Sequence, residues 1–134
     1  MLTQFLCVYR GKKVYNFMEI NRKLLHIEEA LSRFGDDLDL YKELLSDFDY
    51  LNEFSKKRLQ EYLAKKNFAQ LKRIIHKLKG VSGTIGAERL YDSLRDFEKL
   101  LLAEDIERLE TEIIHLDDIY TKTCTKITQF LKES

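Results

Sequence analysis

Apolar residues recur at threes and fours along most of this chain, the spacing of helices that bury one face. Between Leu71 and Ile85 the residues Leu71, Ile74, Ile75, Leu78, the small Ser82 and Ile85 form a single stripe. Leu90, Leu94, Phe97 and Leu101 make the stripe of a helix that follows Gly86 and ends near Ala103. Ile106, Leu109, Ile113, Leu116, Tyr120, Thr123, Ile127 and Phe130 make that of a last helix, capped by Asp105. Upstream, Ile20, Leu24, Ile27, Leu31 and Phe34 predict a helix stopped by Gly35. Tyr41, Leu44, Leu45, Phe48, Leu51, Leu59, Tyr62 and Leu63 then predict one long helix from about Asp39 to Lys65, roughly 40 Å at 1.5 Å per residue. Asn67, with Gln70 three residues on, reads as a capping box that fixes the start of the next helix.

Short connections at Lys66, Gly86 and Glu104 make consecutive helices antiparallel neighbours. The expected fold is therefore all-α, an antiparallel four-helix bundle with an additional N-terminal helix. The regular spacing of the last helix also suits a dimeric coiled coil, but packing within the chain is the more economical use of it. Residues 1–18 are read as an N-terminal extension and 19–134 as the helical domain. Phe5, Val8, Val14, Tyr15 and Phe17 around Arg10-Gly11-Lys12-Lys13 admit a short hairpin, an arm or part of a helix.

Composition narrows the picture. The 134 residues suffice for one core but not for a core plus a nucleotide-binding module. The lack of proline, with 34% charged residues, favours long helices. Equal numbers of basic and acidic residues, 23 each, leave no global charge to recruit nucleic acid or a membrane. Two distant cysteines, Cys7 and Cys124, suggest neither a disulfide framework nor a metal site. No apolar run approaches the roughly 20 residues of a membrane span, and the first residues lack a basic leader followed by a long apolar segment. A cytoplasmic protein is expected.

The candidate chemistry lies on the outer side of the Leu71–Ile85 stripe. At about 100° per residue, His76 falls roughly 140° from the centre of the stripe and points outward. Lys72, Arg73, Lys79, Gly80 and Gly83 share its side. Glycine within a helix costs about 1 kcal/mol relative to alanine, so two of them on the histidine face suggest the close approach of another surface. Gly80 also suits the residue after a helix end, but the apolar spacing continues through Val81, Ser82 and Ile85, and Gly86 is the better terminator. In an antiparallel hairpin turning at Gly86, Glu98 comes level with His76. A carboxylate there would accept the Nδ1 proton and leave Nε2 free; the alternative, a surface glutamate flanking Phe97, stands beside it. His26 has no acidic or cysteine companion at ligand spacing, and His115 reads as a surface residue. The three histidines do not make a metal site.

The run His76-Lys77-Leu78-Lys79-Gly80-Val81-Ser82-Gly83-Thr84-Ile85-Gly86-Ala87 resembles the H-x-L-K-G-x-S-x-x-x-G-A signature of histidine phosphotransfer (HPt) domains. Phe34-Gly35-Asp36-Asp37 followed by Tyr41-Lys42-Glu43-Leu44-Leu45 is similar to the family's opening, and the resemblance covers roughly Ile20 to Lys132. It implies a phosphoryl carrier of two-component phosphorelays without kinase activity of its own. His76 would take phosphate from an aspartyl phosphate on one receiver domain and give it to an aspartate on a response regulator. Lys79 would offset the phosphoryl charge, Lys72 and Arg73 would steer the partner, and Gly80 and Gly83 would form the contact floor. A glutamate stands at the offset of Glu98 in the phosphotransfer domain of chemotaxis kinases, whereas many stand-alone members carry glutamine there. Implied partners are response-regulator receiver domains and a hybrid histidine kinase. No cofactor of its own is implied, with Mg²⁺ expected in the partner's receiver domain. A helical adaptor that binds a receiver without carrying phosphate is the alternative. Met18 is a plausible natural start, so residues 1–17 are expected to be dispensable.

Overall fold

The computed structural model describes residues 7–10, 13–16 and 22–133. Two short strands, β1 (Cys7–Arg10) and β2 (Lys13–Asn16), pair antiparallel with Cys7 opposite Asn16 and Arg10 opposite Lys13. Of the three forms the sequence admits for this segment, the paired one is adopted. The rest of the segment and the expected helix start at Ile20 lie outside the described residues.

Six helices follow: α1 (Ile27–Arg33), α2 (Leu38–Ser46), α3 (Lys56–Ala64), α4 (Phe68–Ile85), α5 (Glu88–Ala103) and α6 (Ile106–Glu133). The last three form consecutive antiparallel neighbours, α3 packs against both α4 and α6, and α2 and α1 close one end. The fold is all-helical apart from the strand pair. Among the described residues, no helix is long and apolar enough to cross a membrane.

The three tight connections follow from residues held at positive φ: Lys66 at 54°, Gly86 at 83° and Glu104 at 50°. The α5 stripe of Leu90, Leu94, Phe97 and Leu101 is fully buried, as are Leu109, Ile113 and Leu116 of α6. That apolar face is consumed within the chain. Tyr41 is also fully buried, and its hydroxyl donates to the Ile85 carbonyl at 2.7 Å. Burial pushes its phenol up to about 12.

Two expected helices differ from what forms. The single helix from Asp39 to Lys65 is two, because residues 47–51 close in turns, with Tyr50 N and Leu51 N donating to the Asp47 carbonyl, and from Asn52 on side chains take up backbone partners. Asn52 donates to the Phe48 carbonyl at 2.7 Å and accepts from the Phe54 amide at 2.9 Å, and Ser55 then caps α3 by accepting from Arg58 N. Phe54 turns inward onto Tyr120, ring centroids 4.5 Å apart. The long spine is α6, 28 residues, about 42 Å at 1.5 Å per residue.

The N-terminal helix is shorter than expected. Its forerunner 22–26 spends its backbone on the α4–α5 turn: His26 N donates to Gly86 O at 2.8 Å, and Lys23 O accepts from Arg89 N at 3.1 Å. Hydrogen bonds committed across the fold leave no continuous helical ladder there. Leu25, rather than Leu24, is the buried residue.

Candidate functional site

The register of α4 is set at its start, where the Asn67 side chain accepts from Gln70 N at 3.3 Å. The reciprocal half of the expected capping box does not form: Asn67 N donates to the Tyr62 carbonyl, and Gln70 Oε1 accepts from Arg73 Nε. From this start Leu71, Ile74, Ile75 and Leu78 are fully buried. His76 emerges on the opposite side, with 78% of its side chain exposed.

Gly86 ends α4 in the left-handed region and reverses the chain. An added Cβ there would stand 2.8 Å from the His26 carbonyl oxygen and 3.0 Å from Ala30 Cβ. Glycine is thus required twice, by conformation and by the docking of α1. The reversal brings Glu98 of α5 beside His76.

His76 Nδ1 faces Glu98 Oε2 at 3.5 Å, longer than an ordinary hydrogen bond. The other carboxylate oxygen, Oε1, lies 2.5 Å from Lys79 Nζ. Glu98 therefore bridges the two, and Lys79 is its closer partner. Lys79 and Glu98 are only 22% and 27% exposed, so their pairing is less screened than a fully solvated one. The Lys79 ammonium also stands 5.9 Å from the centroid of the Tyr91 ring. With Nδ1 turned to a carboxylate, Nε2 is the ring nitrogen left toward solvent. This arrangement can present a nucleophilic nitrogen with a cation at hand for developing negative charge.

The remaining sequence candidates divide. Gly80 is exposed, with open space where its Cβ would project. Gly83 carries the Tyr91 ring, whose Cδ2 would be 3.3 Å from an added Cβ. Its glycine thus has a reason inside the chain, and its carbonyl accepts from Arg33 Nη2 at 3.0 Å. Lys72 is exposed. Arg73 is turned away onto Glu53, with a close Nη1–Oε2 contact and Nη2 at 3.3 Å from Oε1, and Lys77 approaches the same carboxylate at 3.6 Å. The Arg73 hydrogen bond holds the Glu53 carboxyl below its usual range. Sequence reasoning missed Glu53, because only the break at 47–55 brings it to α4. It missed Tyr91 too, although a position seven residues before Glu98 is on the same face of a helix.

His26 does have acidic companions, contrary to expectation. Its Nδ1 lies 3.1 Å from Glu88 Oε2, from 62 positions along the chain, and ligand atoms of His26, Glu29 and Glu88 fall within 4.8 Å of one another. Both carboxylates are already engaged by arginine: Arg22 on Glu88 at 3.3 Å and Arg33 on Glu29 at 3.1 Å. Arg22 also grips Asp92 through two hydrogen bonds, of 2.9 and 3.2 Å. Those pairings favour a structural tie between α1 and α5 over a cation site. His115 is exposed on α6, as expected.

Residues 18–124 match the family model of the Hpt domain. No curated protein and no solved structure matches the chain.

Proposed function

This chain belongs to the Hpt domain family, the phosphotransfer carriers of phosphorelays, and from that premise we propose that His76 is its phosphoryl-accepting residue. The observation that carries the reading is the environment of the imidazole: exposed, with Nδ1 facing Glu98 at 3.5 Å and Lys79 bound to the same carboxylate.

In the proposed reaction the lone pair of Nε2 attacks the phosphorus of an aspartyl phosphate on a receiver domain. The P–N bond forms as the P–O bond to the carboxylate breaks, and the aspartate leaves as its anion. Glu98 balances the positive charge that the ring acquires. Lys79 meets the phosphoryl oxygens, as phosphoryl transfer depends mostly on positioning and charge stabilisation. The return step is the same in reverse, an aspartate of a response regulator taking the phosphoryl group from Nε2. Mg²⁺ belongs in the receiver's aspartate pocket, and the carrier needs no cofactor of its own. Gly80 lets the partner's surface reach the imidazole, and Lys72 adds an exposed positive charge one turn earlier.

Pre-phosphorylated receiver domains, offered to the wild type and to His76→Gln, test the reading. Acid-labile, base-stable label on the wild type alone is the expected result. Receiver binding without label on either protein would favour a non-phosphorylated adaptor instead.

A further inference from the structure

We propose that Tyr91 is a positioning residue of the His76 site, its ring holding the Lys79 ammonium in place beside the imidazole. The proposal rests on the phosphoryl-carrier reading above and adds to it a residue outside the H-x-L-K-G-x-S-x-x-x-G-A pattern.

A lysine carries four rotatable bonds, and an unsupported ammonium on a helix surface samples many positions. Lys79 shares the face of His76, yet its side chain is 22% exposed where that of His76 is 78% exposed. Two residues of α5 flank its ammonium, Glu98 at 2.5 Å and the Tyr91 ring at 5.9 Å from the centroid. The second distance is within the roughly 6 Å over which a cation is attracted to an aromatic face. Tyr91 and Glu98 are seven residues apart on one helix, so they line the same groove two turns from each other.

The ring packs over residue 83, where glycine leaves it room. A Cβ there would lie 3.3 Å from Tyr91 Cδ2, tight enough that the ring would have to shift by a few tenths of an ångström, and 3.4 Å from Cε2, an ordinary contact. The order of support thus runs from Gly83 to Tyr91, from Tyr91 to Lys79, and from Lys79 to the reacting nitrogen. The two supports of Lys79 also differ in kind. A phosphoryl group on Nε2 brings negative charge that repels the Glu98 carboxylate and competes with it for the ammonium. The neutral ring is indifferent to that charge, so Lys79 stays in place in both states of the carrier.

The test compares wild type, Tyr91→Phe and Tyr91→Leu in transfer from a phosphorylated receiver, each also in a Lys79→Ala background, with lysine ¹³C-labelled for NMR. Tyr91→Leu should transfer about two- to fivefold more slowly, the size of an exposed cation–π contact, and Tyr91→Phe should match wild type. In the Lys79→Ala background the leucine should change nothing further. The Lys79 ε-methylene should show a ring-current shift in wild type and Tyr91→Phe and lose it in Tyr91→Leu. Gly83→Val, which displaces the ring from the α4 side, should reproduce the leucine result and serves if that variant does not fold. The proposal is overturned by a folded Tyr91→Leu protein that transfers at the wild-type rate. Equal slowing with and without Lys79 would overturn it as well, by marking a purely structural role. A wild type that takes no label from any receiver overturns the carrier reading instead, and the ring-current shift tells the two failures apart.

Discussion

Lys79 Nζ lies 2.5 Å from Glu98 Oε1, closer than any contact Glu98 makes with His76. The glutamate is thus first a counter-ion to the lysine and second a neighbour of the imidazole. Glu98→Gln removes the charge that competes with the phosphoryl group for Lys79. Phosphohistidine should hydrolyse about two- to fivefold more slowly in this variant, the effect of one partly exposed charge interaction. Loss of acid-labile label with time measures it, and a faster loss would assign Glu98 the opposite role.

Gly80 has open space where a side chain would project. Gly80→Gln should therefore leave the fold intact, and its thermal midpoint should stay level or rise, because glycine in a helix interior is about 1 kcal/mol worse than ordinary residues. Transfer from receivers should fall steeply, since the new side chain stands between the imidazole and the partner. Unchanged transfer kinetics in the folded variant would remove the steric argument.

Gly86 is the opposite case. Its φ of 83° and the His26 carbonyl 2.8 Å from any added Cβ mean that Gly86→Ala should destabilise the protein, by about 1–3 kcal/mol. Urea unfolding gives the number. Amide exchange should show 22–30 opening first, because the hydrogen bond from His26 N to Gly86 O anchors that segment.

Glu88 predicts a pH dependence. Burial alone would push its carboxyl up, but hydrogen bonds from His26 and the Lys23 amide, with the charge of Arg22, more than offset this and hold it below the ordinary range. A carboxylate depressed in the folded state stabilises the fold above its unfolded pKa, about 4.3, and loses that contribution as pH falls through the folded value. Glu88→Gln should thus be less stable than wild type at pH 7, with the gap closing below about pH 4. Urea midpoints at pH 7 and pH 3.5 test it. A gap that does not narrow between pH 7 and pH 3.5 would mean that packing, not charge, is what the glutamate contributes.

How much of this was written in the sequence follows the range of the forces involved. The stripes on α4, α5 and α6, the turns at Lys66, Gly86 and Glu104, and the outward position of His76 depend on helical periodicity and local backbone preference. Both are properties of neighbouring residues, and the sequence by itself determined them. The level pairing of Glu98 with His76 was legible too, because a hairpin with one tight turn leaves little freedom in register. The break at 47–55 was not: apolar spacing runs across it, and only the competition of Asn52 and Ser55 for the backbone, with Phe54 packed on Tyr120, decides against a continuous helix. Likewise the tertiary structure alone directs Arg73 to Glu53 and His26 to Glu88. Each of these pairs joins residues that share no local periodicity, so their meeting is fixed by how the packed helices align and not by any pattern along the chain.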